Sequence, residues 1–145
     1  MELLQFLTED QVRILQKDYG TPVFVYDEAT LERQAREALN FPYPYGLTVR
    51  FAMKALPSGA ILRLLHGLGL HIDASSGFEV ERAMKAGIPA EHIQLTAQEL
   101  PRNLEELVKA GIQFNACSLN QLEAFGRHFA GASLGVRVNP GLGSG

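Results

Sequence analysis

Three charged side chains stand where buried strands should end. Lys54 closes the apolar run Leu47-Thr48-Val49-Arg50-Phe51-Ala52-Met53-Lys54-Ala55, Asp73 follows Leu70-His71-Ile72, and Arg137 lies within Leu134–Val138. An amine held against apolar surface is costly to keep charged, because desolvation disfavours the cation. In its neutral form such an amine is a nucleophile that condenses with an aldehyde to a Schiff base. The alternative for Lys54 is a stem laid over apolar surface with its ammonium reaching water. For Asp73 the alternative is a carboxylate capping the loop Ala74-Ser75-Ser76-Gly77, and for Arg137 a surface ion pair. Three such groups at equivalent positions favour a shared site.

Their faces follow from the strand period. Side chains alternate sides along a strand, so Arg50, Ala52 and Lys54 share one face while Val49, Phe51 and Met53 share the other. The apolar set should face outer helices. Lys54 then points inward, with the small Ala52 one step below it and room for a flat ligand. Asp73 shares its face with His71 and Ser75, and Arg137 with Gly135 and Asn139. In parallel α/β folds ligands gather at the C-terminal ends of the strands, where all three charges fall. Glu79, one turn into the following helix, reads as a first-turn acid favoured by the helix dipole rather than a catalyst.

The elements that must position these residues form a repeat of strand and helix. Apolar runs centre near Val49, Ile72, Gln94, Asn115 and Val136, spaced by roughly 21 to 23 residues, about what a strand, a three-turn helix and two short loops need. The helices between them have readable ends. Ser58 caps Gly59–His66, and Ser76 precedes Phe78–Ala86. Asn103 with Glu106 has capping-box spacing before Leu104–Ala110. Ser118 with Gln121 has the same spacing before a helix ending near Phe129. Ala86-Gly87-Ile88 and Ala110-Gly111-Ile112 are one C-terminal punctuation used twice.

Alternating βα units imply parallel strands joined by right-handed crossovers. An open, doubly wound five-stranded sheet and an arc of a (β/α)8 barrel both fit, the full barrel typically needing about 250 residues. Residues 1–46 stand outside the repeat: a helix from Glu9 to about Lys17 boxed by Thr8 and Gln11, a short strand Val23–Tyr26, a helix Glu28–Leu39 capped by Asp27, and a linker rich in proline and aromatics.

Composition excludes several classes. With 46% hydrophobic and 20% charged residues the 145-residue chain is globular rather than disordered. A net charge of −3 without a basic block argues against a nucleic-acid partner. One cysteine, Cys117, precludes an intrachain disulfide and suits a reducing, cytoplasmic setting; it reads as a small apolar filler ending a buried strand. Met1–Phe6 lacks the cationic and apolar regions of a secretory leader. No run approaches the roughly 20 apolar residues of a membrane span. His66, His71, His92 and His128 are scattered without metal-ligand spacing, so no metal is expected.

Four segments together carry a resemblance. Phe51-Ala52-Met53-Lys54-Ala55 resembles the cofactor-lysine strand of the decarboxylases of the alanine-racemase-like barrel class, which depend on pyridoxal 5'-phosphate (PLP). Asp73 through Ala83 resembles that family's second strand and following helix. Tyr19 through Asp27 resembles its N-terminal segment. Gly135-Val136-Arg137-Val138-Asn139-Pro140-Gly141 resembles the Arg-Val-Asn-Pro segment typical of its diaminopimelate decarboxylases. The similarity runs in order from about Tyr19 to Gly145. It implies an α/β fold, a partial (β/α)8 TIM barrel with about five of eight βα units: residues 1–46 lead in, residues 47–145 form an incomplete PLP-binding barrel, and a C-terminal β domain is absent.

By this resemblance Lys54 carries the cofactor covalently through its amine and later donates a proton. Asp73 lies close to that lysine, Arg137 near the pyridine ring and Ala52 beneath it. The implied reaction is decarboxylation of meso-diaminopimelate to L-lysine by an enzyme that is a homodimer when complete. The alternatives are a related decarboxylase for carboxynorspermidine, ornithine or arginine, a barrel that binds PLP without turnover, or a complete five-stranded binding module. The family's ring-stacking histidine, glycine-rich phosphate loop and pyridine-nitrogen glutamate would follow Gly145, so the chain reads as an N-terminal part that is poorly stable and inactive alone. Gly141, Gly143 and Gly145 read as ordinary loop rather than a phosphate cradle.

Overall fold

The computed structural model describes residues 6–141. Two helices, α1 (Glu9–Tyr19) and α2 (Glu28–Leu39), precede five repeats. These run β1 (Arg50–Ala52), α3 (Gly59–Gly67), β2 (His71–Ala74), α4 (Gly77–Lys85), β3 (Ile93–Leu95), α5 (Leu104–Lys109), β4 (Gln113–Ala116), α6 (Leu119–His128) and β5 (Gly135–Val136). Short 3-10 turns occupy Met53–Ala55 and Ala90–His92.

All four strand pairs are parallel, and the order in the sheet follows the chain, β1-β2-β3-β4-β5. That order separates the two architectures left open above. A doubly wound sheet reverses its strand order at a switch point, whereas a barrel adds each strand beside the last. The helices also pack on one face alone. Met53, Ile72, Ala74, Ile93, Leu95, Ala97, Phe114 and Ala116 are buried together with Leu62, Val80, Ala83, Leu107 and Phe125 from the helices. The alternate strand residues Arg50, His71, Asp73, Gln94, Thr96 and Asn115 are only half-buried. The fold is thus an arc of a (β/α)8 barrel with a dry outer interface and a polar inner face. Each large apolar side chain fully buried in that interface contributes about 1.5–3 kcal/mol.

Helix α2 joins the outer layer: Ala35 is buried with Leu65 and Leu70, and Leu39, Val49 and Ile61 pack around them. No helix among the described residues is long and apolar enough to cross a membrane.

Several local expectations change. Val23–Tyr26 forms no strand; Phe24 is 86% exposed, and among the described residues no strand offers ladder bonds to this segment. The run around Lys54 stays in the sheet only to Ala52, then tightens into the Met53–Ala55 turn. Thr8 and Gln11 do form a full capping box. Ser76 and Ser118 accept from the amides of Glu79 and Gln121, both at 3.2 Å. Ser58, Asp27 and Asn103 make no such cap. The Asn103 amide instead donates to Glu81 Oε1 at 3.1 Å, and Asp27 accepts from the Thr30 hydroxyl.

Candidate functional site

The inner face is built in rows set by strand register. Ala52 pairs with Asp73 and Asp73 with Gln94, each step twenty-one residues, one turn of the repeat. Gln94 pairs with Gln113, and Asn115 with Gly135. Lys54 follows Ala52 through the 3-10 turn and is exposed. The apolar enclosure expected for this amine is therefore not what holds it. The turn gives the buried position to Met53, which is 0% exposed, and sets Lys54 beyond the strand end. Arg137 lies past β5, yet its N–H still donates to the Ala116 carbonyl at 2.8 Å, which continues the ladder by one residue. Its side chain therefore belongs to the face of Gly135, and it is exposed.

Ala52, Lys54 and Asp73 thus gather on β1 and β2, while Arg137 stands on β5 at the other edge. Strands lie about 4.8 Å apart, so Arg137 is some three strand spacings from Asp73 along the arc. A groove of about 800 Å³ along α2 and Asn40–Pro42 contains none of these residues.

Asp73 Oδ1 accepts a hydrogen bond of 2.7 Å from the Thr96 hydroxyl. That hydroxyl accepts in turn from Gln94 Nε2 at 3.2 Å and from Asn115 Nδ2 at 3.3 Å. Gly135 leaves room for Asn115: a Cβ there would stand 2.6 Å from Asn115 Oδ1. Asp73 therefore belongs to a polar cluster spanning three strands.

Two helix starts brace the strand ends above this cluster. Glu79 Oε2 accepts from the Ser75 N–H at 2.6 Å, so this first-turn acid closes the β2–α4 loop. Gln121, 5% exposed, does more: its Oε1 accepts from the Cys117 N–H at 2.7 Å, and its Nε2 donates to the carbonyls of Ala97 and Gln98, both at 2.9 Å. Sequence reading saw only the capping spacing of Gln121 and missed its tie between two loops. Cys117 is half-buried and shares the parity of Asn115, so it is not part of the helix-side core.

Three of the four histidines are not scattered. His66 Nε2 and His92 Nδ1 are 2.9 Å apart, and His71 stacks on His92 at 4.1 Å. They meet at the N-terminal ends of β2 and β3, away from the row of Lys54. The spacing of twenty-one residues from Arg50 to His71 to His92 was the available signal, because positions one repeat apart become neighbours. Burial, then the charge of His92, lowers the pKa of His66; burial, then His92, Arg50 and His66, lowers that of His71. Among the described residues no group of three or more His, Cys, Asp or Glu is placed to hold a metal ion. Gly141 donates its N–H to Asn139 Oδ1 at 3.1 Å, an ordinary turn contact; Gly143 and Gly145, like Met1–Gln5, lie outside the described residues.

Comparison with known proteins agrees with this layout. Residues 28–145 match the family described as pyridoxal-dependent decarboxylase, pyridoxal binding domain. The diaminopimelate decarboxylase of Streptomyces coelicolor is 38% identical over 133 residues, covering 88% of this chain and 29% of that protein. That of Escherichia coli K12 is 36% identical over 144 residues, covering 96% and 33%. Among solved structures, the lysine/ornithine decarboxylase of Vibrio vulnificus complexed with putrescine superposes with a TM-score of 0.75 at 26% identity, covering 91% of this chain and 37% of that one. The diaminopimelate decarboxylase of Helicobacter pylori complexed with L-lysine gives a TM-score of 0.71 at 26% identity, covering 89% and 34%. The chain spans about a third of the length of the curated relatives it matches. A sequential parallel arc with a lysine just past its first strand, matched over most of its length, places the chain in the family of pyridoxal-dependent decarboxylases, within their pyridoxal-binding domain.

Proposed function

We propose that this chain supplies part of the cofactor site of a PLP-dependent amino-acid decarboxylase that converts meso-diaminopimelate to L-lysine. The observation that carries the reading is the exposed amine of Lys54 beyond β1, with Ala52 below it in register with Asp73. The residues fit the cofactor. Ala52 and Gly135 keep the inner face low, Lys54 offers an amine just past the end of β1, and Asp73 offers an acceptor already oriented by Thr96. When bound, PLP supplies the electron sink for the pair of electrons left as carbon dioxide departs.

The chain's own residues do the rest. Lys54 would hold the cofactor through its amine and donate the proton that replaces the departing carboxylate on the reacting carbon. Asp73 sets its carboxyl group on the strand next to that of Lys54. Ala52 leaves room under the ring, and Arg137 sets a cation at the far edge of the site. The substrate assignment rests on the diaminopimelate decarboxylases at 36–38% identity. A second reading, a decarboxylase for ornithine or a related amine precursor, is favoured by the superposition on the lysine/ornithine enzyme.

For the complete protein we take residues 1–46 as a lead-in segment, 47–145 as the first part of the barrel, and the active assembly as a cytoplasmic homodimer. Phe78 and Leu119, in the first turns of α4 and α6, are 85% and 76% exposed at the strand C-terminal ends, which supports their burial by further polypeptide.

Lys54→Ala in the complete protein tests the core of this reading. The visible absorption of bound PLP and decarboxylation of diaminopimelate should both vanish; retained absorption overturns the role of Lys54. Assay on diaminopimelate, ornithine, arginine and carboxynorspermidine decides the substrate.

A further inference from the structure

We propose that Thr96 is a positioning residue for the reaction, which fixes Asp73 as an acceptor facing the site. This inference rests on the cofactor reading above. A threonine hydroxyl has one O–H to give and two lone pairs to receive. Gln94 Nε2 and Asn115 Nδ2 occupy both lone pairs, and neither amide nitrogen can accept. The hydroxyl proton has one acceptor left, Asp73 Oδ1 at 2.7 Å. The direction of the whole chain is therefore set: amides donate to Thr96, and Thr96 donates to Asp73.

Backbone packing holds this polarity in place. Thr96 N–H donates to the Ala74 carbonyl at 2.8 Å, which locks the threonine beside β2. Asn115 can turn its amide nitrogen toward Thr96 because its oxygen lies over Gly135, where any side chain would collide at 2.6 Å. Gln94 is the register partner of Asp73 itself. Three neighbouring strands thus converge on one carboxylate. Asp73 in turn pairs with Ala52, two residues before Lys54. A carboxylate held in one rotamer on the strand next to that of a nitrogen that must carry positive charge favours the charged form. A carboxylate free to rotate does so less.

The experiment compares wild type, Thr96→Val, Thr96→Ser and Asn115→Ala in the complete protein, each freed of cofactor and titrated with PLP. The visible absorption of bound cofactor is followed as a function of pH. Thr96→Val should bind PLP about tenfold more weakly, the loss that corresponds to about one pKa unit of lost stabilisation of the positive nitrogen in the loaded protein. Its pH-dependent absorption change should move down by about one unit, because the positive nitrogen loses its oriented partner. Thr96→Ser should keep the wild-type transition. Asn115→Ala frees the hydroxyl to turn and should shift the transition the same way by less.

Wild-type affinity and transition in Thr96→Val overturn the proposal; if that variant does not fold, an unmoved transition in Asn115→Ala does the same. Lys54→Ala separates this from the parent reading. Absorption retained in Lys54→Ala refutes the cofactor assignment, whereas absorption lost there with no shift in Thr96→Val refutes only the role of Thr96.

Discussion

Gln121→Leu removes a side chain that ties two loops through three hydrogen bonds while keeping nearly its volume. The three lost bonds differ in cost according to what water can replace. Ala97 is 2% exposed, so its carbonyl has no solvent to turn to; a buried acceptor stripped of its partner costs about 1–3 kcal/mol. Cys117 is half-buried, and losing the acceptor for its N–H costs about 0.5–1.5 kcal/mol. Gln98 is exposed, so its carbonyl is rehydrated and adds little. Burying the leucine methyl groups offsets roughly 1 kcal/mol. The net destabilisation is about 2 kcal/mol. Urea unfolding of the complete protein measures it, and hydrogen exchange at the Cys117 amide localises it. Gln121→Glu sharpens the test: it retains the acceptor for Cys117 but sets a carboxylate oxygen against two carbonyls. It should protect the Cys117 amide yet destabilise more at neutral pH than in mild acid. A loss below about 0.5 kcal/mol for Gln121→Leu, with wild-type exchange at Cys117, would refute the reasoning.

Acid should weaken the barrel through its histidines. His66 and His71 have lowered pKa values when folded, so the unfolded chain binds more protons and stability falls as pH drops through the ordinary histidine value near 6.5. The charges facing them are His92 and Arg50, both unfavourable to a proton; a melting temperature that is flat from neutral pH to pH 5 contradicts this, as does a His71→Phe protein with the same acid sensitivity. Gly77→Ala would place a Cβ 2.8 Å from Pro101 Cβ, overpacking the start of α4 at a cost of about 1–3 kcal/mol. Thermal denaturation reads it directly, and an unchanged midpoint means that the Pro101 loop yields freely.

Much of the scaffold is legible in the chain because βα repeats advertise themselves. Apolar runs one repeat apart, serine caps and the paired Gly87 and Gly111 stops locate all five strands and the helices between them. The helix ends fall within a residue or two of Gly59–Gly67, Gly77–Lys85 and Leu119–His128. Lys54, Asp73 and Arg137 stand out as candidates in the same way, since a charge ending an apolar strand is conspicuous locally.

What each of these charges touches is not local. Thr96 and Asn115 are ordinary strand residues until register sets them beside Asp73, and Gly135 matters only because Asn115 lies opposite it. The strand at Val23–Tyr26 fails for the same reason in reverse: β-propensity needs a partner edge, and the described residues offer none. Lys54 is exposed rather than enclosed because one 3-10 turn hands the buried position to Met53. Period and capping decide which elements form, for those are set by residues a few positions apart. Neighbours across the sheet, and therefore the hydrogen bonds of the site, come from the pairing of strands about a repeat apart, which only the tertiary structure specifies.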